Sequence, residues 1–360
     1  MTDTVMITTG GTGGHIFPGL AVASRLVAKG CKVFWLGTRD GIEARLVPQH
    51  GVDFEAIRFG GVRGKGLKRL LLGPFSLLLA FWQSLRVIRR RAPDVVLGLG
   101  GFASFPGALM GVAWGRPLAI HDANAVAGLA NRILAFGADR ILLGFPDALR
   151  GKHAAKVQWV GNPLRDDIVA VARPEQRFAG RKGPLKLLVL GGSLGAVALN
   201  QRVPSALALL APSQRPQVTH QAGDAHLEAL RRAYAEAGAA AECVAFIADM
   251  ASRYAEADLV ICRGGALTVA EVAAVGVGSV IVPLPGSIAD EQTHNARFLV
   301  DAGAASLVPQ SKLTPQFLAD MLAAYDRERL LAMAIAARSV ARTDATERVA
   351  EACMELARSR

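Results

Sequence analysis

Thr4-Val5-Met6-Ile7-Thr8 runs almost directly into Gly10-Gly11-Thr12-Gly13-Gly14-His15, and a small-residue helical pattern from Leu20 to Ala28 follows. An apolar run of strand length thus stops at a glycine cluster that opens a helix. Glycines let the backbone turn sharply and expose its N–H groups at a helix N-terminus, where an anion is favoured. His15 is the one titratable side chain among them. The stretch reads as a phosphate-friendly turn holding a potential general base.

The signature recurs. Leu187-Leu188-Val189-Leu190 leads into Gly191-Gly192-Ser193-Leu194-Gly195 and then into a helical pattern from Ala196 to Leu210. Elsewhere short, continuously apolar runs alternate with helical stretches, the pattern of parallel sheets covered on both faces. Strands are expected at 5–8, 33–36, 95–99, 118–121, 140–143 and 157–160, then at 185–190, 217–220, 243–246, 259–262, 280–283 and 306–308.

With 360 residues the chain exceeds one ordinary core. The expectation is an α/β protein of two Rossmann-like parallel-sheet domains facing across a cleft at the C-terminal ends of their strands. The break falls between Gly161-Asn162-Pro163 and the polar segment 173–183, giving domains 1–163 and 164–342. A last helical stretch, roughly 330–358, has no strand after it. Its end, from about 343 to 360, is expected to pack back on the first domain.

Composition narrows the function classes. The formal net charge of +11 asks for an anionic partner: a phosphorylated substrate, a nucleic acid or an anionic membrane. No nucleic-acid module is recognisable, and aromatic residues are too few for stacking platforms, so nucleic acid is set aside. The four cysteines are dispersed and form no Cys-x-x-Cys pair, which reads as buried reduced thiols. No apolar run approaches the about 20 residues that span a bilayer, and the N-terminus does not read as a signal peptide. A cytoplasmic protein is expected.

The charge is concentrated. From Arg58 to Arg91 there are nine Lys and Arg residues and no Asp or Glu, around the apolar run Leu70 to Trp82. A core helix with a solvated basic flank is one reading of that run. Membrane-surface docking is the other, with apolar and aromatic side chains in the interface and Lys and Arg at anionic headgroups.

Four further stretches carry side chains of possible function. Gly11-x-Gly13 lacks the third glycine of a dinucleotide fingerprint, and Leu36-Gly37-Thr38-Arg39 lacks its ribose-binding acid. Arg263-Gly264-Gly265 ends a strand and opens a helix carrying Glu271, which either complements the helix dipole or accepts bonds from sugar hydroxyls. Gln292 suits a carbohydrate contact, or else an exposed helix N-terminus. His121-Asp122-Ala123-Asn124 ends another strand, where Asn124 suits a sugar or amide and the histidine reads as structural. No Asp-x-Asp pair and no ligand-spaced His/Cys/Asp cluster occurs, so no metal and no cofactor are expected.

Taken together these stretches resemble the MurG family across essentially the whole chain. The resemblance rests on Gly10-Gly-Thr-Gly-Gly-His15-x-x-Pro-Gly19, Gly64-Lys-Gly66, Asp94-Val-Val-Leu-Gly-x-Gly-Gly101, Ala127-Gly-Leu-Ala-Asn131, Gly161-Asn-Pro163-x-Arg165, Gly191-Gly-Ser193-x-Gly195, Arg263-x-Gly-Ala-Leu-Thr-Val-Ala-Glu271 and Gln292-x-x-Asn-Ala296. Each motif is modest alone; all eight in order are specific.

The resemblance implies the GT-B fold and an inverting transfer of N-acetylglucosamine from UDP-N-acetylglucosamine to the C4 hydroxyl of undecaprenyl-diphosphate-linked muramyl-pentapeptide. It places the protein peripherally on the cytoplasmic face of the inner membrane, in peptidoglycan synthesis. Donor contacts carried over by position are Thr12, Gly13, Gly14, Asn124, Arg165, Ser193, Ile247, Ala266, Leu267, Thr268, Val269, Ala270, Glu271 and Gln292. His15 is the expected base. The sequence departs from the family at Asp122-Ala123, where Glu-Gln is common, at Phe102, where Tyr is common, and at Gly278, where proline is usual and a turn is expected. A UDP-N-acetylglucosamine 2-epimerase of the same fold and a non-catalytic sugar-nucleotide-binding membrane protein are the competing readings. The basic stretch at 58–91 argues against the epimerase.

Overall fold

The structure, a computed structural model, describes residues 2–60, 66–149, 153–192 and 195–359, without the side chains of 66–72 and 288. The chain divides into two compact units, 1–165 with 342–360, and 166–341. In the first unit β1 (Thr4–Thr8), β2 (Lys32–Thr38), β3 (Asp53–Ile57), β4 (Val95–Gly98), β5 (Leu118–Asp122), β6 (Arg140–Leu143) and β7 (Val157–Trp159) form one sheet, ordered β3-β2-β1-β4-β5-β6-β7. In the second, β8 (Lys186–Leu190), β9 (Gln217–Gln221), β10 (Glu242–Val244), β11 (Leu259–Cys262), β12 (Gly278–Ile281) and β13 (Ala305–Leu307) are ordered β10-β9-β8-β11-β12-β13. Every described strand pair is parallel.

The order reverses once in each sheet, between β1 and β4 and between β8 and β11. At such a switch point the connections leave in opposite directions and open a crevice beyond the strands' C-terminal ends. Both glycine turns singled out from the sequence, after β1 and after β8, sit at these points.

The first unit carries α1 (Gly13–Ala28), α2 (Glu43–Gln49), α3 (Gly66–Arg91), α4 (Ser104–Ala113) and α5 (Leu129–Leu134). The second carries α6 (Asp166–Val169), α7 (Pro174–Phe178), α8 (Val197–Leu209), α9 (Leu227–Glu236), α10 (Met250–Glu256), α11 (Ala266–Val275), α12 (Glu291–Val300), α13 (Pro315–Ala323) and α14 (Arg327–Ser339), and α15 (Ala345–Arg358) returns to the first. Strand alternation covers both faces of the first sheet. Val5 and Ile7 pack with Leu26 of α1 and Val349, Cys353 and Leu356 of α15, while Met6 packs with Ile88 of α3 and Ala108 of α4. Outside that core, Leu164 and Thr346 exchange two hydrogen bonds, and Glu347 pairs with Arg25 at 3.3 Å and with Lys29.

Three expectations change. β3 was not among the expected strands, because Asp53-Phe54-Glu55-Ala56-Ile57 is a half-exposed edge strand with charges on its outer positions. The stretch 330–358 is two helices, α14 and α15, since the chain leaves one core for the other between Ala341 and Arg342. Gly278 opens β12 and is not in a turn: a β-carbon there would stand 3.2 Å from Met333 Cβ.

Candidate active site

In the first unit the chain leaves β1, turns at Gly11 (φ +112°) and enters α1 through Thr12, whose carbonyl accepts from the His15 and Ile16 N–H groups at 3.0 and 3.3 Å. Gly13 and Gly14 lie in the first helical turn, where the helix itself supplies their N–H groups no acceptor. Beneath the turn is a fully buried carboxylate, Glu43 of α2. Its Oε1 accepts from Thr38 N–H at 3.1 Å and Thr38 Oγ1 at 2.5 Å, and its Oε2 from Gly11 N–H at 3.4 Å. A β-carbon at Gly10 would clash with this carboxylate. Gly11 N–H is thereby engaged, and the turn's capacity for an outside anion rests on Thr12 to Gly14.

The His15 ring lies against a second glycine turn, after β4. β-Carbons at Gly100 and Gly101 would stand 3.5 Å from His15 Cε1 and 3.7 Å from its Cδ2. Nδ1 is buried with no hydrogen-bond partner among the described residues. Burial holds the pKa below the ordinary 6.5, against a smaller opposing pull from the Leu99 backbone. The imidazole is therefore neutral at pH 7 and able to accept a proton.

His121, at the end of β5, is buried and donates from Nε2 to the Gly161 carbonyl at 2.9 Å. Burial first, and then His15, bring its pKa down to about 4 despite that bond. Its neighbour Asp122 organises the following loop. One carboxylate oxygen accepts from Asn124 N–H at 3.2 Å, the other from Gly128 N–H and Asn131 Nδ2 at 3.0 Å each. Burial raises the Asp122 pKa, and these three bonds oppose the rise. Asn131 also bonds the His121 carbonyl at 3.1 Å and faces Gly100, so His15, Gly100, Asn131 and Asp122 form one connected cluster.

In the second unit α11 starts at the end of β11, with Gly265 in extended conformation as its N-cap. Of the expected contacts, Ala266 and Val269 are buried on the packing face of α11, while Leu267, Thr268, Ala270 and Glu271 are half-buried. Gln292, at the start of α12, accepts with Oε1 from Gly264 N–H at 3.2 Å and Leu284 N–H at 2.9 Å. Asn295 Nδ2 donates to the Gly264 carbonyl at 3.0 Å, so both ends of that residue are clamped by α12. Arg263 turns from the helix start to the Val282 and Pro283 carbonyls and Gln310 Oε1, at 3.0, 3.2 and 2.7 Å. Ile247 is buried in the loop between β10 and α10.

The structure thus gathers Thr12, Gly13, Gly14, His15 and Asn124 along one edge of the first sheet, and Ala266 to Glu271 with Gln292 along one edge of the second. Arg165, expected in the second domain, is the last residue of the first unit before α6. Ser193 lies outside the described residues. Sequence reading missed Glu43, because an acid at the start of a short helix reads as a dipole partner. It also missed Asn131, quoted only within a motif, and the clamp on Gly264.

Residues 5–143 match the glycosyltransferase family 28 N-terminal domain and residues 186–349 its C-terminal domain. A relative from Aromatoleum aromaticum is 58% identical over 357 residues, 99% of each chain. Its name is UDP-N-acetylglucosamine--N-acetylmuramyl-(pentapeptide) pyrophosphoryl-undecaprenol N-acetylglucosamine transferase. The crystal structure of Acinetobacter baumannii MurG matches at TM-score 0.85 with 39% identity, over 98% of this chain and 99% of that one. The chain belongs to the MurG family. Its GT-B fold is shared more widely: a crystal structure of UDP-N-acetylglucosamine 2-epimerase matches at TM-score 0.66 with 14% identity, over 100% of this chain and 98% of that one. That likeness extends to the fold alone.

Proposed function

We propose that this chain transfers N-acetylglucosamine from UDP-N-acetylglucosamine to the C4 hydroxyl of undecaprenyl-diphosphate-linked N-acetylmuramyl-pentapeptide, with inversion at the sugar's C1. The observation that carries the chemistry is His15, a neutral imidazole on a glycine turn at the switch point of the first sheet. As base it takes the proton of the acceptor hydroxyl as that oxygen attacks C1. The N–H groups of Thr12 to Gly14, placed among the donor contacts by the family resemblance, also line the acceptor side, where the N-terminus of α1 meets the acceptor's diphosphate.

The donor belongs to the second unit. Helix α11 presents its N-terminus and Glu271, which takes the ribose hydroxyls, and Gln292 meets the N-acetylglucosamine. Ser193 touches the diphosphate, and Ile247 is a further donor contact. Negative charge on departing UDP is stabilised by main-chain N–H groups, helix N-termini and Arg165.

The membrane surface is met by α3. Phe75, Leu78, Leu79 and Trp82 are exposed at i, i+3, i+4 and i+7, one face of that helix. Among the described residues no helix is long and apolar enough to cross a membrane, so docking is peripheral on this reading.

Incubating the protein with UDP-N-acetylglucosamine and the lipid-linked muramyl acceptor tests the whole. Disaccharide-lipid and UDP appear together if the proposal holds. Turnover of the sugar nucleotide without acceptor would instead favour epimerase chemistry, and binding without turnover a sensor.

A further inference from the structure

Glu271 has a buried partner on another helix. The Tyr254 hydroxyl donates to Glu271 Oε2 at 3.1 Å. Tyr254 is fully buried, and the Tyr254 and Ala255 carbonyls accept from Arg177 Nη1 at 3.5 and 3.3 Å, so ring and main chain are both held. Its helix, α10, begins where Asp249 Oδ1 caps Ser252 N–H at 3.1 Å, directly after the loop that carries Ile247. A hydrogen bond therefore joins α10, the helix that follows the Ile247 loop, to the helix that carries Glu271.

We propose that Tyr254 is a positioning residue for the donor, fixing the Glu271 carboxylate in the orientation that takes the ribose diol of UDP. The inference rests on the donor reading above. A vicinal diol presents two O–H donors side by side, and a carboxylate accepts both only when its plane is set to meet them. A glutamate has three side-chain torsions, and whatever freedom they keep is lost when a ligand fixes the carboxylate, which weakens binding. A phenol that cannot move restricts those torsions before the ligand arrives. Tyr254 itself needs no contact with the nucleotide.

Tyr254→Phe keeps the buried ring and removes only the hydroxyl. Titration calorimetry with UDP and with 2′,3′-dideoxy-UDP separates the diol from everything else the nucleotide contacts. Tyr254→Phe should weaken UDP about 3- to 10-fold, the size of the freedom lost when one side chain is immobilised on binding, and leave dideoxy-UDP within about twofold. The KM for UDP-N-acetylglucosamine rises while kcat at saturating donor changes little. Tyr254→Phe combined with Glu271→Ala binds UDP no more weakly than Glu271→Ala alone. If Glu271→Ala erases the preference for the diol but Tyr254→Phe weakens both ligands equally, or neither, the positioning role falls and the Glu271 assignment stands. If Glu271→Ala keeps the preference, both fall.

Discussion

The His15 imidazole rests against the α-carbon of Gly100, where a β-carbon would stand 3.5 Å from His15 Cε1 and 3.5 Å from Asn131 Nδ2. Gly100 and Gly101 have φ of +79° and +77°, a region that costs an L-residue about 1–2 kcal/mol. At Gly101 the β-carbon would also strike the Gly10 carbonyl oxygen and push the two glycine turns apart. Gly101→Ala should therefore destabilise by about 2–4 kcal/mol and remove most activity. Gly100→Ala should cost about 1–2 kcal/mol but shift the ring, lowering kcat more than it raises the donor KM. Thermal melts and initial rates separate the two effects. An unchanged kcat in Gly100→Ala would take the placement of His15 out of the chemistry.

In its proposed role as base, His15 must be without its proton. Its pKa lies below 6.5, because burial penalises the charged form. The rate should rise with pH through that depressed pKa and stay flat above it, until some other group titrates. His15→Gln keeps polarity and loses basicity, so kcat should fall about 10²- to 10⁴-fold with UDP affinity unchanged. A variant that retained most of its kcat would make His15 a hydrogen-bond donor or a turn residue.

Buried neutral histidines also set the acid limit of stability. His121 and His220 have pKa values of about 4 and about 3 in the fold, burial being the largest cause for each, against 6.5 when exposed. Between pH 6.5 and 4 the unfolded chain binds protons that the folded chain refuses, so stability falls as pH falls. For His121 that window is worth about 3 kcal/mol. Asp122 works the other way: its raised pKa means the folded state gains a proton first, which blunts the loss. The melting temperature should be nearly flat between pH 7 and 8, fall above that as the buried thiols with raised pKa values are exposed to ionisation on unfolding, and decline from pH 6.5 toward 4, less steeply in His121→Asn. Equal slopes for both proteins would remove His121 from the acid limit.

The sequence made the sheets legible because their strands are buried on both faces and read as continuous apolar runs. β3 escaped for the opposite reason: Asp53 and Glu55 point outward from an edge, where they pair with Arg91 and Arg90 at 2.7 and 2.6 Å. The glycine turns and His15 were equally legible, since strand, glycines and helix are contiguous. Glu43 was not, although it braces Gly11, because the bond spans 32 positions, from the turn after β1 to the first residue of α2. Gln292 was read as a sugar contact from its residue type; the sequence did not show that its Oε1 also serves the Gly264 and Leu284 N–H groups, leaving the amide nitrogen for a sugar. Spacing reveals which residues share an element; it does not reveal which backbone groups a side chain already serves.

The basic stretch around α3 divides into charges with internal duties and side chains facing outward. Arg90 and Arg91 hold Glu55 and Asp53 on β3, Arg89 lies over the Trp114 ring at 4.7 Å, and Arg86 over Trp82 at 5.8 Å. Reversing all three of Arg89, Arg90 and Arg91 would therefore damage the sheet edge as well as any membrane contact. The apolar face tests docking more cleanly, because Phe75, Leu78 and Trp82 are 72%, 63% and 58% exposed and add little to the core. Phe75→Ser/Leu78→Ser/Trp82→Ser should fold normally and lose most co-sedimentation with vesicles containing phosphatidylglycerol. Its turnover of a short-chain, water-soluble acceptor should stay unchanged. Arg86→Glu should weaken vesicle binding by about 1–2 kcal/mol, an effect that shrinks in high salt. Undiminished vesicle binding by the triple serine variant would move the membrane contact off α3.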